Sequence, residues 1–112
     1  MKIYHNPRCS KSRSTLELIR AQGINPEVIE YLKNPLTEKE IKDLLKKLGM
    51  KASELLRKSE LLYRVKYESL NLTDKELITL MAEFPTLIER PIVVLGEKAV
   101  IGRPPENILL LL

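Results

Sequence analysis

Two helix-start signals mark a helical block in the middle of the chain. Thr37 and Glu40, and later Thr73 and Glu76, have the spacing of a capping box. In that motif the threonine hydroxyl accepts a hydrogen bond from the third helical amide, and the glutamate accepts one from the threonine amide. Aliphatic residues recur at helical spacing after each box. The pattern predicts a block of several helices over roughly residues 37–84.

Strand-forming sequence lies on both sides of this helical block. Short runs rich in β-branched or aromatic residues occupy positions 2–4 and 27–32 before it, and positions 91–95 and 99–101 after it. Residues 10–22, between the first two runs, favour a helix. A final short helix closes the sequence. The predicted order is therefore β-α-β, then the helical block, then β-β-α.

This order predicts an α/β fold of the thioredoxin/glutaredoxin-like class. A strand, a helix and a parallel strand connect through a right-handed crossover, and the later hairpin adds antiparallel strands. The expected result is a mixed four-stranded sheet, with the helical insertion between the β-α-β and β-β-α halves. A chain of 112 residues is long enough to bury one core. We therefore predict a single domain over residues 1–112.

Composition argues against several classes of function. The net charge of +4 is a weak basis for nucleic-acid binding. One cysteine cannot form an internal disulfide or a cysteine-based zinc site. We expect no metal and no bound cofactor. The start of the sequence lacks the apolar segment of a signal peptide, and the closing apolar run is far shorter than the roughly 20 residues of a membrane span. We expect a cytoplasmic protein without a membrane partner.

Cys9 stands between the first predicted strand and the first predicted helix. A helix N-terminus carries about half a unit of positive charge and unpaired amides, and both stabilise a thiolate. Arg8, Lys11 and Arg13 add positive charge nearby. A cysteine in such a position can have a pKa of roughly 3.5–7.5 instead of about 8.5. A lone cysteine can also be a small buried apolar residue, but these polar neighbours favour a nucleophile.

The spacing around Cys9 does not match two familiar thiol sites. Arg13 lies too close to Cys9 for the CX5R pattern of a phosphatase loop. Ser12 stands where a CxxC redox pair has its second cysteine. A thiol without such a partner must be regenerated by an external thiol.

Two further neighbours have alternative interpretations. Ser12 either donates a hydrogen bond to the thiolate or is an ordinary serine of the first helical turn. His5, the only histidine, either assists Cys9 as a base or positive charge, or bonds a backbone group at the strand end.

Four segments resemble the glutaredoxin-coupled arsenate reductase family, in its compact bacterial branch. They are KIYHNPRCSKSR at residues 2–13, LLRK at 55–58, ERPIVV at 89–94 and IGRPPE at 101–106. Together they extend over nearly the whole chain. The resemblance implies a thioredoxin-like fold with a helical insertion, in agreement with the predicted order of elements.

The resemblance also implies a reaction and a set of site residues. Cys9 attacks the arsenic of arsenate, glutathione acts as co-substrate by attacking the adduct, and glutaredoxin reduces the product so that arsenite is released. His5 corresponds to a position that assists the cysteine, and the bond before Pro91 is expected to be cis. Three arginines bind the oxyanion in the family, and they correspond to Arg57, Arg90 and Arg103.

Arginine is well suited to this task because its planar fork of donors matches oxyanion geometry. Arg90 and Arg103 each precede a proline, which restricts their backbone to extended conformations. Arg57, taken alone, has the pattern of an exposed helix residue.

Related chains of this fold leave two alternatives. One is a glutathione-dependent thiol transferase with another substrate. The other is a redox regulator that binds RNA polymerase and has no enzymatic activity. Such regulators often carry a CxxC switch, which Cys9 and Ser12 cannot form.

Overall fold

A computed structural model describes residues 1–112, and the chain forms two compact units. The first unit combines Met1–Asn34 with Arg90–Leu112, and the second is Pro35–Glu89. The predicted helical insertion over residues 37–84 lies within the second unit, whose ends extend a few residues further on each side.

The first unit contains the sheet. Its elements are β1 (Lys2–Tyr4), α1 (Ser10–Ala21), β2 (Glu27–Ile29), β3 (Ile92–Leu95), β4 (Lys98–Ile101) and a 3₁₀ helix (Pro105–Leu111). The strand order is β2-β1-β3-β4, with β1 parallel to β2 and antiparallel to β3, and β3 antiparallel to β4. This mixed four-stranded sheet confirms the predicted thioredoxin-like fold.

Two predicted elements differ in detail. The second strand ends at Ile29 instead of residue 32, because the amides of Lys33 and Asn34 both donate to the carbonyl of Glu30 and turn the chain. The last helix is a 3₁₀ helix, and it begins at a proline, which has no amide to donate.

Apolar side chains from four elements form the core of the first unit. Ile3 on β1, Ile19 on α1, Val93 on β3 and Ile108 on the 3₁₀ helix are fully buried, and Leu16 completes the cluster. Residues 16 and 19 are three apart and so lie on one face of α1. This packing fixes the N-terminus of α1 at the end of β1, where Cys9 stands.

The second unit is helical. Its elements are α2 (Glu38–Leu48), α3 (Ala52–Leu55), α4 (Leu61–Lys66), α5 (Asp74–Glu83) and two 3₁₀ helices (Glu68–Leu70 and Pro85–Leu87). Both predicted capping boxes form, at Thr37 and at Thr73. Both α2 and α3 pack against α5. A membrane span would require a longer and more apolar helix than any in this structure.

Gly102 occupies a place in the first unit that leaves no room for a side chain. A Cβ atom there would lie 2.6 Å from Cγ2 of Thr15 and 3.2 Å from Cγ of Pro91. The Thr15 hydroxyl donates to the Gly102 carbonyl at 2.6 Å, and the Gly102 amide donates to the Pro91 carbonyl at 2.8 Å. These contacts hold the segment before Arg103 against α1 and against the Arg90–Pro91 segment.

Replacing Gly102 by alanine should therefore lower the free energy of unfolding by about 1–3 kcal/mol, the usual cost of overpacking. Urea unfolding of the variant measures this change. The Thr15→Ser background is the matched test, because serine keeps the hydroxyl and lacks Cγ2. In the Thr15→Ser background, the Gly102→Ala substitution should lower the free energy of unfolding by a smaller amount. An equal loss in both backgrounds would contradict a clash with Cγ2 of Thr15.

Candidate active site

Cys9 is the residue that opens α1. Its backbone is extended (φ −92°, ψ 120°), its carbonyl accepts from the Arg13 amide at 3.0 Å, and its amide donates to the Asn6 carbonyl at 3.0 Å. It therefore occupies the N-cap position, where a side chain faces the unpaired amides of the first helical turn. The thiol is partly exposed and has no disulfide partner.

The pKa of Cys9 lies below its ordinary value. Burial raises the pKa of the thiol, but three stabilising groups outweigh this effect. The pKa is lowered by the backbone amide of Ser12, by the side chain of Arg90 and by the backbone amide of Lys11. The site therefore holds more thiolate at a given pH than a free cysteine does, and thiolate is the nucleophilic form.

The groups that lower the pKa of Cys9 differ from those expected from the sequence. The side chains of Arg8, Lys11 and Arg13 were expected to supply the positive charge, yet all three are exposed. Water and ions screen exposed charges, whereas fixed amides and a partly buried guanidinium act at close range. Lys11 contributes through its backbone, and Arg90 is the cation that acts on the thiol.

His5 and Ser12 form a buried pair behind the cysteine. The His5 Nδ1 atom lies 2.6 Å from the Ser12 hydroxyl, which also accepts from the Asn6 amide at 3.1 Å. The Ser12 hydroxyl is thus engaged with His5 and the loop backbone, and only the Ser12 amide stabilises the thiolate. The pair anchors the loop of residues 5–8 to the first turn of α1.

Burial lowers the pKa of His5. Glu30 raises this pKa, whereas Arg20 and Arg13 lower it further, and the net direction is downward from 6.5. His5 is therefore predominantly neutral at neutral pH. Of the roles considered from the sequence, that of a positive charge beside the thiolate is not supported by this environment.

Asn6 is a positioning residue that the sequence did not single out. Its carbonyl accepts from the Cys9 amide, and its side-chain oxygen accepts from the Arg8 amide at 3.0 Å. Asparagine commonly forms such turns with its own neighbouring backbone. The Asn-Pro pair at residues 6–7 was the available signal for a tight turn before Cys9.

Arg90 and Arg103 lie on adjoining backbone segments of the first unit. The peptide bonds from Arg90 to Pro91 and from Arg103 to Pro104 are both cis, and the second was not anticipated. The amide of Gly102 joins the two segments through its bond to Pro91. Arg90 interacts with Cys9, while Arg103 is exposed.

Arg57 belongs to the second unit. Its amide donates to the Leu87 carbonyl at 2.7 Å, next to an isolated antiparallel bridge between Leu56 and Ile88. Its guanidinium forms a partly buried ion pair with Glu60 at 2.7 Å. These contacts give Arg57 a defined position within its unit, unlike the solvated helix residue that the sequence alone indicated.

The fold and the site define a class of protein: a thioredoxin-like protein with one activated thiol and no second cysteine to resolve it. Residues 4–111 match the model of the ArsC family. The chain belongs to this family.

Individual relatives agree with this assignment. The chain is 51% identical to the uncharacterised protein YfgD of Escherichia coli over 97% of its length and 93% of that protein. It is 44% identical to an arsenate reductase of Neisseria meningitidis serogroup A, over 96% of its length and 94% of that protein. The structure of an arsenate reductase from Vibrio cholerae superposes with a TM-score of 0.94 at 47% identity, covering 99% of this chain and 96% of that one.

Proposed function

We propose that the protein reduces arsenate to arsenite through an adduct on Cys9, which glutathione and glutaredoxin resolve. The observation that carries this proposal is the position of the Cys9 thiol at the N-terminus of α1, in contact with the Arg90 guanidinium, which lowers the pKa of the thiol. A thiolate and a cation in contact form a site that both attacks an oxyanion and attracts it. The identity with arsenate reductases supports arsenate as that oxyanion.

The first step forms a bond between sulfur and arsenic. The Cys9 thiolate attacks As(V), and one arsenate oxygen leaves as water after protonation. The thiol of glutathione then attacks the same arsenic and displaces a second oxygen as water. The arsenic, still As(V), is now bound to the sulfur atoms of Cys9 and glutathione.

The second step transfers two electrons. A glutaredoxin thiolate attacks the glutathione sulfur, and the electron pair of the sulfur–arsenic bond remains on arsenic, which becomes As(III). The oxidised product is a mixed disulfide between glutaredoxin and glutathione. Water then displaces the Cys9 thiolate from As(III) and releases arsenite. An external thiol is needed because Cys9 is the only cysteine.

Arginine side chains reduce the repulsion between arsenate and the thiolate in this proposal. Arg90 already interacts with Cys9 and is assigned the closest arsenate oxygen. Arg103 and Arg57 are proposed to bind the other oxygens, as the family resemblance implies. Each charge-assisted bond contributes about 1.5–3 kcal/mol. A reducing cytoplasm, where glutathione is abundant, is the proposed location.

Arsenite formation by the purified protein tests the proposal. Arsenate should be converted to arsenite only when glutathione, glutaredoxin and the protein are all present, and omission of any one should reduce the product to the uncatalysed level. Phosphate, as a tetrahedral oxyanion, should compete with arsenate.

Two results would contradict the proposal. Recovery of RNA polymerase by the protein, without arsenite formation, would favour the regulator. Glutathione-dependent thiol transfer with no response to arsenate would favour a thiol transferase.

A further inference from the structure

A cavity of about 240 Å³ lies beside the loop that leads into Cys9. Pro7 and Leu32 provide apolar lining, while Arg8, Glu30 and Lys33 provide charges of both signs. His5 and Asn6, from the loop before Cys9, complete the lining, and the proposed oxyanion site uses none of the other five residues. Arg8 immediately precedes Cys9, so a molecule bound here lies near the nucleophile.

The loop around this cavity is fixed before any ligand binds. Asn6 accepts from the amides of Arg8 and Cys9, and its own amide donates to the buried Ser12 hydroxyl. Among the other lining residues, Lys33 forms an ion pair with Glu30 at 3.4 Å. The cavity thus combines a loop backbone held by hydrogen bonds with exposed charges and apolar surface, and such a mixture of polar and apolar groups is typical of small-molecule sites.

We propose that this cavity binds a carboxylate-bearing arm of glutathione, and this inference rests on the proposed function. Both glutathione arms end in a carboxylate, for which Arg8 and Lys33 are the partners. Glu30 can accept from an amide of the peptide or from the γ-glutamyl ammonium. The apolar lining contacts the methylene groups of the arm. A cysteinyl thiol held at the middle of the peptide then extends toward the adduct on Cys9.

The charges of the cavity favour this occupant over arsenate. A small dianion would place two negative charges beside the Glu30 carboxylate and would contact little of Pro7 and Leu32. A peptide with separated charges and short aliphatic segments matches both features. Binding here would let the thiol approach arsenic while the arginines hold the oxygens.

Kinetics of the Arg8→Gln and Lys33→Gln variants test the assignment. We expect the KM for glutathione to rise about fivefold in each variant, the range of an exposed charge pair. The kcat at saturating glutathione and the KM for arsenate should not change. Lys98→Gln is the matched control, because Lys98 is an exposed lysine on β4, at the opposite edge of the sheet from β2.

Dipeptide thiols that lack one arm of glutathione identify which arm occupies the cavity. The wild-type protein should prefer glutathione to both γ-glutamylcysteine and cysteinylglycine. If the cavity holds the glycyl arm, the variants lose the preference over γ-glutamylcysteine. If it holds the γ-glutamyl arm, they lose the preference over cysteinylglycine. The inference is overturned if both preferences persist, or if the variants raise the KM for arsenate instead.

Calorimetric titration with S-methylglutathione separates this inference from the proposed function, because it requires no arsenate and no free thiol. The Arg8→Gln and Lys33→Gln variants should bind this probe about fivefold more weakly than the wild-type and Lys98→Gln proteins. If the variants weaken binding of the probe as expected but the wild-type protein forms no arsenite, the glutathione site is supported and the proposed reductase activity is refuted. Arsenite formation with binding unaffected by the variants would refute the site alone.

Discussion

Replacing Cys9 by serine should lower the rate of arsenite formation at least about a thousandfold, as loss of a nucleophile does in other enzymes. A serine hydroxyl is not ionised near neutral pH, so the amides of Lys11 and Ser12 have no anion to stabilise. The measurement is arsenite produced per minute with glutathione and glutaredoxin in excess.

The stability of the Cys9→Ser variant shows whether a loss of activity reflects the missing nucleophile or a protein that no longer folds. Cys9 is the N-cap of α1, and serine is among the residues preferred at that position. We therefore expect the free energy of unfolding to stay the same or to rise by up to about 1 kcal/mol. A Cys9→Ser protein that remains folded and still forms arsenite at the wild-type rate would show that another group attacks arsenate.

Replacing Arg90 by glutamine should raise the pKa of Cys9 and weaken arsenate binding together. The Arg90 guanidinium favours the charged thiolate, so its removal should raise the pKa of Cys9. The rate of alkylation by iodoacetamide follows the thiolate fraction, so the pH midpoint of alkylation should shift upward. The kcat/KM for arsenate should fall about tenfold to a hundredfold, because one charge-assisted bond is lost.

Two further variants sharpen this experiment. Arg90→Lys keeps the charge without the planar fork, so it should restore part of the lowered Cys9 pKa and little of the arsenate affinity. Arg20→Gln removes an exposed arginine from the last turn of α1 and should leave the alkylation midpoint unchanged. An unchanged midpoint in Arg90→Gln would mean that the helix amides alone lower the pKa of Cys9.

The helix starts could be predicted from local sequence, whereas the end of one strand could not. The capping boxes at Thr37 and Thr73 join groups three residues apart, so their hydrogen bonds depend on little beyond the local chain. The position of Cys9 at the head of α1 is equally local. By contrast, β2 stops at Ile29 although strand-forming residues continue, because a turn at Glu30 removes the following amides from the sheet.

The partners of the site residues required the fold. The sequence placed Ser12 near Cys9, yet its hydroxyl bonds to His5, since the loop of residues 5–8 folds back over the first turn of α1. Side-chain direction at a helix start depends on what packs behind it. The hydroxyl of a serine one turn after a cysteine can point toward the thiol or away from it. Here the hydrogen bond to the buried His5 imidazole turns the Ser12 hydroxyl toward the loop.

The sequence alone predicts the order of helices and strands, the helical insertion and the position of a thiol at a helix start. Each of these features depends on residues that are neighbours along the chain. Only the tertiary structure brings Arg90 to Cys9, because these residues are far apart in sequence and meet through the pairing of β1 with β3. The same packing exposes the charges of Arg8, Lys11 and Arg13 to water. A cation lowers the pKa of a thiol strongly only at short distance and with little screening, and that distance is a property of the fold.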